Sequence, residues 1–128
     1  MRTDGDVLLA RQTGRRVAER LGFAGSDLTV ISTAISELAR NIIQYAGDGE
    51  IMVGPANEKG RTGIQVVATD SGPGIRDIEL AMRDGYSTGV GMGLGLPGAR
   101  RLMDEFAISS EVAKGTTVVM KKWVRGHG

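Results

Sequence analysis

Apolar positions in the first half of the chain repeat every three or four residues, the spacing of one face of an α-helix. The repeat is clearest from Ser26 to about Ala46, where Gly47 follows, and Ser26 and Asp27 can cap its start. A weaker repeat near residues 8–21 predicts an earlier helix. The apolar positions of the longer helix are Leu28, Ile31, Ile35, Leu38, Ile42 and Tyr45.

Beyond this helix the pattern changes to short runs rich in isoleucine and valine, which are typical of β-strands. Two strands are predicted at 50–54 and 63–69, joined by the polar stretch ANEKGRT, and a hairpin is predicted from 107–112 and 116–124. Helices are predicted at 75–82 and 94–105, with Phe106 counted among the apolar positions of the second. This order of elements predicts an α+β two-layer sandwich, with a mostly antiparallel sheet and helices on one face.

The composition fits a single domain over residues 1–128, with 41% hydrophobic residues and only 4% aromatic ones. Sixteen basic and fifteen acidic residues give a net charge of +1, so strong attraction to nucleic acid or to an anionic membrane is not expected. No run approaches the roughly 18 apolar residues that a membrane span needs, and no signal-peptide pattern opens the chain. A cytoplasmic location is therefore expected.

The chain contains no cysteine, and its one histidine, His127, lies in the terminal GHG. Disulfides, thiolate metal sites and cysteine nucleophiles are excluded, and a histidine triad is not expected.

The stretch SELARN inside the long helix carries the first candidate for chemistry. Glu37 and Asn41 are four residues apart and therefore share a helix face that flanks the apolar stripe. A carboxylate can accept a proton from an attacking hydroxyl, and an amide oxygen can coordinate Mg²⁺. An ion pair between Glu37 and Arg40 on a solvated face is the plainer interpretation, and this stretch alone favours it.

The stretch TDSGPG directly follows a predicted strand. Asp70 ends an apolar run, where a half-buried carboxylate needs a hydrogen-bond donor such as the amine of adenine. Gly72 and Gly74 permit a sharp turn and the close approach of a ligand to the backbone. Thr116, which follows the turn glycine of KGTT, could offer its hydroxyl to the same ligand. TDSGPG taken alone favours an ordinary turn, and a hairpin turn explains KGTT equally well.

The stretch GYSTGVGMGLGLPG has glycine at six of its fourteen positions, just before a predicted helix. Such glycines let successive backbone amides converge on an anion, and the positive end of the following helix points to the same place. Pro97 in the first helical turn supports that helix start. The stretch therefore predicts a phosphate-binding lid that closes on a nucleotide.

The chain resembles the GHKL (Bergerat-fold) ATPase and kinase superfamily in four stretches, which follow one another in the order SELARN, TDSGPG, GYSTGVGMGLGLPG and KGTT. Members of this superfamily include type II topoisomerases, histidine kinases and bacterial anti-sigma kinases. Within it, the phrases ISELARNI, DGYSTG and GLGLPGARRLMDEF are most similar to RsbT-type serine/threonine switch kinases of the bacterial stressosome. The resemblance implies ATP-dependent phosphorylation of STAS-domain scaffold proteins. It also implies a second role, in which the freed kinase activates a PP2C-type phosphatase.

The resemblance also implies a role for each candidate residue. Asp70 would contact the adenine amine, supported by Thr116 through water; Asn41 would hold Mg²⁺ against the phosphates, and Glu37 would act as the base. The positions implied in binding ATP or ADP are Asn41, Asp70, Gly72, Gly74, Gly89, Gly91, Gly93, Leu94, Gly95 and Thr116. Members of the superfamily tend to open with an additional strand, whereas this chain reaches its first predicted helix after MRTDGD.

Other nucleotide enzymes fit the sequence poorly. A Rossmann fingerprint needs a strand before its glycines, a P-loop needs GxxxxGK[ST], and eukaryotic-type kinases need HRD and DFG; none of these requirements is met. A histidine kinase needs a phosphoacceptor histidine and a dimerisation helix pair, and this sequence shows neither. The alternative that stays open is an ATP- or ADP-gated protein-binding module without phosphotransfer, because such a module needs no base at Glu37.

Overall fold

The structure, a computed structural model, describes residues 3–72 and 95–124. The predicted helix at 75–82 lies outside the described residues. In chain order the elements are α1 (Asp4–Arg20), α2 (Ser26–Tyr45), β1 (Gly49–Glu58), β2 (Arg61–Asp70), α3 (Gly95–Leu102), β3 (Glu105–Glu111) and β4 (Gly115–Trp123). None of the helices in these two ranges is long and apolar enough to cross a membrane.

Both long helices begin where local hydrogen bonding or backbone geometry allows it. Thr3 and Asp6 form a reciprocal capping box, so α1 begins about one turn before the predicted start. The prediction that Ser26 and Asp27 cap α2 is wrong. Gly25 is the N-cap at φ +61 and makes no side-chain hydrogen bond. Asp27 lies in the first turn, where its negative charge interacts favourably with the positive end of the helix dipole.

The sheet of the described chain has four antiparallel strands in the order β1-β2-β4-β3. Side chains on one face of these strands join a core with α2 and α3, as the alternation of a half-buried sheet requires. The buried members of this core include Ile31, Ile35, Leu38, Ile64, Val66, Val118 and Met120. The predicted α+β two-layer sandwich is confirmed.

The first hairpin is longer than the sequence pattern indicated. The polar stretch ANEKGRT is mostly strand, because pairing continues to Glu58 opposite Arg61. Lys59 and Gly60 alone make the turn, with φ of +51 and +79, the conformation of a two-residue hairpin turn whose twist matches that of the strands.

Helix α3 is shorter than predicted, and Phe106 is not part of it. The helix ends at Leu102, and Phe106 lies in β3 opposite Met120. Asp104 explains the early end, because its backbone N–H donates to the Lys121 carbonyl and its Oδ2 accepts from the Trp123 N–H at 2.8 Å. These two bonds commit the chain to the sheet.

One ion pair spans the sheet from an edge strand to an inner strand. Lys121 Nζ of β4 donates to Glu58 Oε2 of β1 at 2.6 Å, and both side chains are partly exposed. The hydrogen bond and the opposite charge hold the pKa of Glu58 below its ordinary value of 4.5 and raise the pKa of Lys121 above 10.5.

The pair makes stability depend on pH at the acid end. Because folding lowers the pKa of Glu58, its contribution is complete above about pH 4.5 and is lost as the pH falls through the folded-state pKa. We expect Glu58→Gln to unfold at lower urea concentration than the parent at pH 7, with the difference shrinking towards pH 3. Glu111→Gln, which removes an exposed i,i+3 pair with Lys114, should change little. A difference that is constant with pH would contradict the assignment.

Candidate functional site

Asp70 ties together three segments that are distant in the sequence. It is the last residue of β2 and lies opposite both Gly49 of β1 and Thr116 of β4. Its Oδ1 accepts a hydrogen bond from the Gly72 N–H at 3.0 Å and from the Thr116 N–H at 3.3 Å. Oδ2 accepts no hydrogen bond from residues 3–72 or 95–124. One oxygen of this half-buried carboxylate therefore holds the local structure, and among the described residues the other has no hydrogen-bond donor.

Gly72 brings this carboxylate against the end of α2. A Cβ at this position would lie 2.5 Å from the Ala46 Cβ and 3.2 Å from Asp70 Oδ1. The glycine predicted to let a ligand approach is thus required first by packing within the chain. Because Ala46 is the C-cap of α2, this contact places the carboxyl-terminal end of that helix beside the site.

Thr116 is 7% exposed and is the second residue of the inner strand β4. Its hydroxyl lies 2.8 Å from Ser110 Oγ of β3, and Ser110 Oγ also donates to the Gly115 carbonyl at 3.1 Å. Ser110 contacts this candidate site, and the sequence analysis missed it. The hairpin register, which sets Ser110 opposite Thr116, was the signal that could have found it.

Glu37 and Asn41 lie on α2, along the helix that ends beside Gly72. At 1.5 Å per residue, Asn41 is about 7 Å from Ala46 along the axis and Glu37 about 13 Å. Both are half-buried, and the Glu37 side chain is 12% exposed. Arg40 Nη1 donates to Glu37 Oε1 at 3.1 Å, so the plainer ion-pair interpretation describes a real contact. The carboxylate is nevertheless much less exposed than an ordinary surface pair would leave it.

The structure brings Asp70, Gly72 and Thr116 into one cluster beside the end of α2. Gly95 is the first residue of α3, and Pro97 lies in its first turn, as predicted. The remaining candidates Gly74, Gly89, Gly91, Gly93 and Leu94 lie outside the described residues.

The hydrogen-bond acceptor that this cluster offers fits an adenine nucleotide. Asp70 Oδ2 is an acceptor at the end of the inner strand β2, and an exocyclic amine offers the matching N–H groups. Fewer residues support a metal site than support a nucleotide site. Within the described residues, no group of three or more acidic or histidine side chains could hold a metal ion. From the described residues, a magnesium ion here would take the Asn41 amide oxygen as a ligand.

Comparison with known proteins gives a family match over most of the chain. The sequence family described as "Histidine kinase-like ATPase domain" matches residues 2–122. The chain belongs to this histidine kinase-like ATPase family.

Relatives of the chain include a protein kinase and an anti-sigma factor. The chain is 50% identical over 123 residues to the serine/threonine-protein kinase RsbT of Bacillus subtilis, covering 96% of this chain and 92% of RsbT. It is 35% identical over 101 residues to the anti-sigma F factor of Clostridium kluyveri, covering 75% of this chain and 70% of that factor. The RsbT relationship confirms the prediction that the chain is an enzyme of the protein serine/threonine kinase class, and the ATPase family implies ATP binding.

A solved structure confirms the fold. Full-length ShkA, crystallised with AMPPNP, superposes with a TM-score of 0.62 at 18% identity, covering 100% of this chain and 32% of the ShkA chain. The chain therefore spans about a third of the length of that protein, and the likeness concerns the architecture of the ATPase domain alone.

Gly115 supplies a stability test of the cluster. It has φ +123, and a Cβ there would lie 2.0 Å from the Asp70 carbonyl oxygen, whereas Gly60 has φ +79 and open space around it. We expect Gly60→Ala to cost about 1 kcal/mol in free energy of unfolding, because only left-handed strain is added. Gly115→Ala should cost about 3 kcal/mol or more, because it adds a backbone clash. Equal losses in urea denaturation would show that the strands separate without cost.

Proposed function

We propose that this kinase transfers the γ-phosphate of ATP to a serine or threonine hydroxyl on STAS-domain scaffold proteins in the bacterial cytoplasm. After this transfer it exchanges partners and activates a PP2C-type phosphatase in stress signalling. The observation that carries the proposal is the Asp70 carboxylate: two backbone amides hold one oxygen, and the other accepts no hydrogen bond from residues 3–72 or 95–124. The relationship to RsbT, a serine/threonine-protein kinase, supports the reaction class.

In this proposal the described residues bind the nucleotide at one end of the sheet. Asp70 Oδ2 accepts from the adenine amine, and Thr116 supports the same edge of the base. Asn41, about one and a half turns of α2 from Ala46, would hold a magnesium ion through its amide oxygen. ATP supplies the phosphoryl group, and a magnesium ion held there would neutralise charge that develops during transfer.

Glu37 acts on the protein substrate one turn further along α2. It accepts the proton of the serine or threonine hydroxyl as the hydroxyl oxygen bonds to the γ-phosphorus. The bond from that phosphorus to the bridging oxygen breaks, and ADP leaves. Burial to 12% exposure supports this role, because a base beside the phosphate must be shielded from bulk water.

A second candidate function is an ATP- or ADP-gated binding module without significant phosphotransfer. The similarity to an anti-sigma F factor favours it, since that name describes inhibition of a partner protein. Both functions need Asp70 and Thr116, and only phosphotransfer needs Glu37.

Asp70→Asn tests nucleotide binding. The asparagine carbonyl oxygen can still accept from Gly72 and Thr116, but an amide donor replaces Oδ2 and faces the adenine amine. We expect ADP affinity in calorimetry to fall about 10- to 100-fold with little loss of stability. Asp104→Asn changes a carboxylate that accepts a backbone N–H at the other end of β4, and it should leave affinity unchanged. Unaltered affinity in Asp70→Asn would contradict the adenine contact.

Glu37→Gln tests phosphotransfer. We expect phosphate incorporation into a STAS-domain substrate, measured by intact mass, to slow about 10²- to 10⁴-fold while ADP affinity stays unchanged. Arg40→Gln removes the same ion pair but keeps the carboxylate, and it should retain most of the activity. Equal losses in the two variants would make the ion pair, not the base, the important feature. No incorporation by the parent chain, despite ADP binding, would favour the binding module.

A further inference from the structure

The hydroxyl pair Ser110–Thr116 has a direction that follows from its surroundings. The Gly115 carbonyl oxygen can only accept, so in its 3.1 Å contact with Ser110 Oγ the serine hydroxyl is the donor. A hydroxyl has one proton, and the 2.8 Å bond between Ser110 and Thr116 therefore uses the Thr116 proton. Ser110 orients the Thr116 hydroxyl without itself lying on the strand end that carries Asp70.

This direction leaves Thr116 with lone pairs and no proton for any further partner. Thr116 lies directly opposite Asp70, and its backbone N–H is already given to Asp70 Oδ1. The end of the β2–β4 pair thus offers the Asp70 carboxylate and the Thr116 hydroxyl as neighbouring acceptors. Buried acceptors that meet another acceptor instead of a donor lose their hydrogen bonds to water without replacement.

We propose that Ser110 is a positioning residue for base specificity: by holding the Thr116 hydroxyl as an acceptor, it makes this site select 6-aminopurine over 6-oxopurine nucleotides. The inference rests on the proposed nucleotide function of Asp70 and Thr116. A 6-amino group carries two N–H donors, and a water that donates to ring nitrogen N1 has its second proton free for Thr116. A 6-oxo group presents an acceptor to both side chains, and the adjacent N1–H removes the acceptor that such a water needs.

Without Ser110, the Thr116 hydroxyl is free to rotate and donate to a 6-oxo oxygen. Loss of Ser110 should therefore raise affinity for 6-oxopurines relative to 6-aminopurines, and should not weaken both equally. A merely structural role in the hairpin would lower both affinities together. The ratio of the two affinities separates the two cases.

The experiment measures ADP and IDP affinities by calorimetry, because these diphosphates differ only in the 6-position and N1 and cannot be turned over as phosphate donors. The variants are Ser110→Ala, which releases Thr116, and Ser110→Thr, which restores a hydroxyl. Ser109→Ala is the matched control, since Ser109 is exposed and pairs with Thr117 on the other face of the same strand. Should Ser110→Ala not fold, Ser110→Cys keeps the side-chain volume with a weak donor in its place.

We expect the preference of the parent for ADP over IDP to fall about five- to tenfold in Ser110→Ala. Ser109→Ala and Ser110→Thr should keep the parent ratio. An unchanged ratio in Ser110→Ala, or an equal loss of both affinities, overturns the role of Ser110 while leaving the proposed function intact. A parent chain that binds neither nucleotide overturns the proposed function itself, and Ser110 then orders only the hairpin.

Discussion

The structure around the site depends on one carboxylate oxygen. Asp70 Oδ1 receives the Gly72 N–H from the following turn and the Thr116 N–H from the neighbouring strand. These bonds hold the end of β2, the turn and the start of β4 in one arrangement. Since hydrogen bonds to a charged acceptor are stronger than neutral ones, the same side chain can stabilise the local fold and still present its second oxygen. The fold and the candidate binding site therefore depend on the same side chain.

Close backbone contacts surround this carboxylate and limit which residues can stand beside it. Gly72 packs on Ala46, and Gly115 packs on the Asp70 carbonyl. Gly49 completes the set, since a Cβ there would lie 2.5 Å from the Thr69 carbonyl oxygen and 2.8 Å from Ile42. Three glycines from separate segments thus let α2, β1, β2 and β4 converge. This end of the sheet is therefore closely packed, and close packing is what holds neighbouring groups in a fixed geometry.

The sequence predicted the parts of the fold in which periodicity is strong and missed those set by pairing. The repeat from Leu28 to Ile42 predicted α2 nearly to its ends, because an apolar stripe of that length has no competing interpretation. The first hairpin was predicted too short because its polar outer half has no apolar alternation. That half is strand only because β1 pairs with β2 there. In the site, Asp70 carried a chemical signal of its own. Ser110 carried none, since a hydroxyl in a strand acquires a role only when the register brings Thr116 to it.

The two candidate functions differ by one group, and this decides which measurements can separate them. Nucleotide binding engages Asp70 and Thr116 in both, so affinity alone carries no information on catalysis. Glu37 is more than one helical turn further from the Gly72 contact and has Arg40 as its partner, which makes it independent of the backbone network around Asp70. Changes at such separated positions add in free energy when they share no contacts. If a substitution of Glu37 abolishes phosphotransfer and preserves nucleotide binding, the loss can therefore be assigned to the chemical step. A gated binding module of the same fold has no such step to lose.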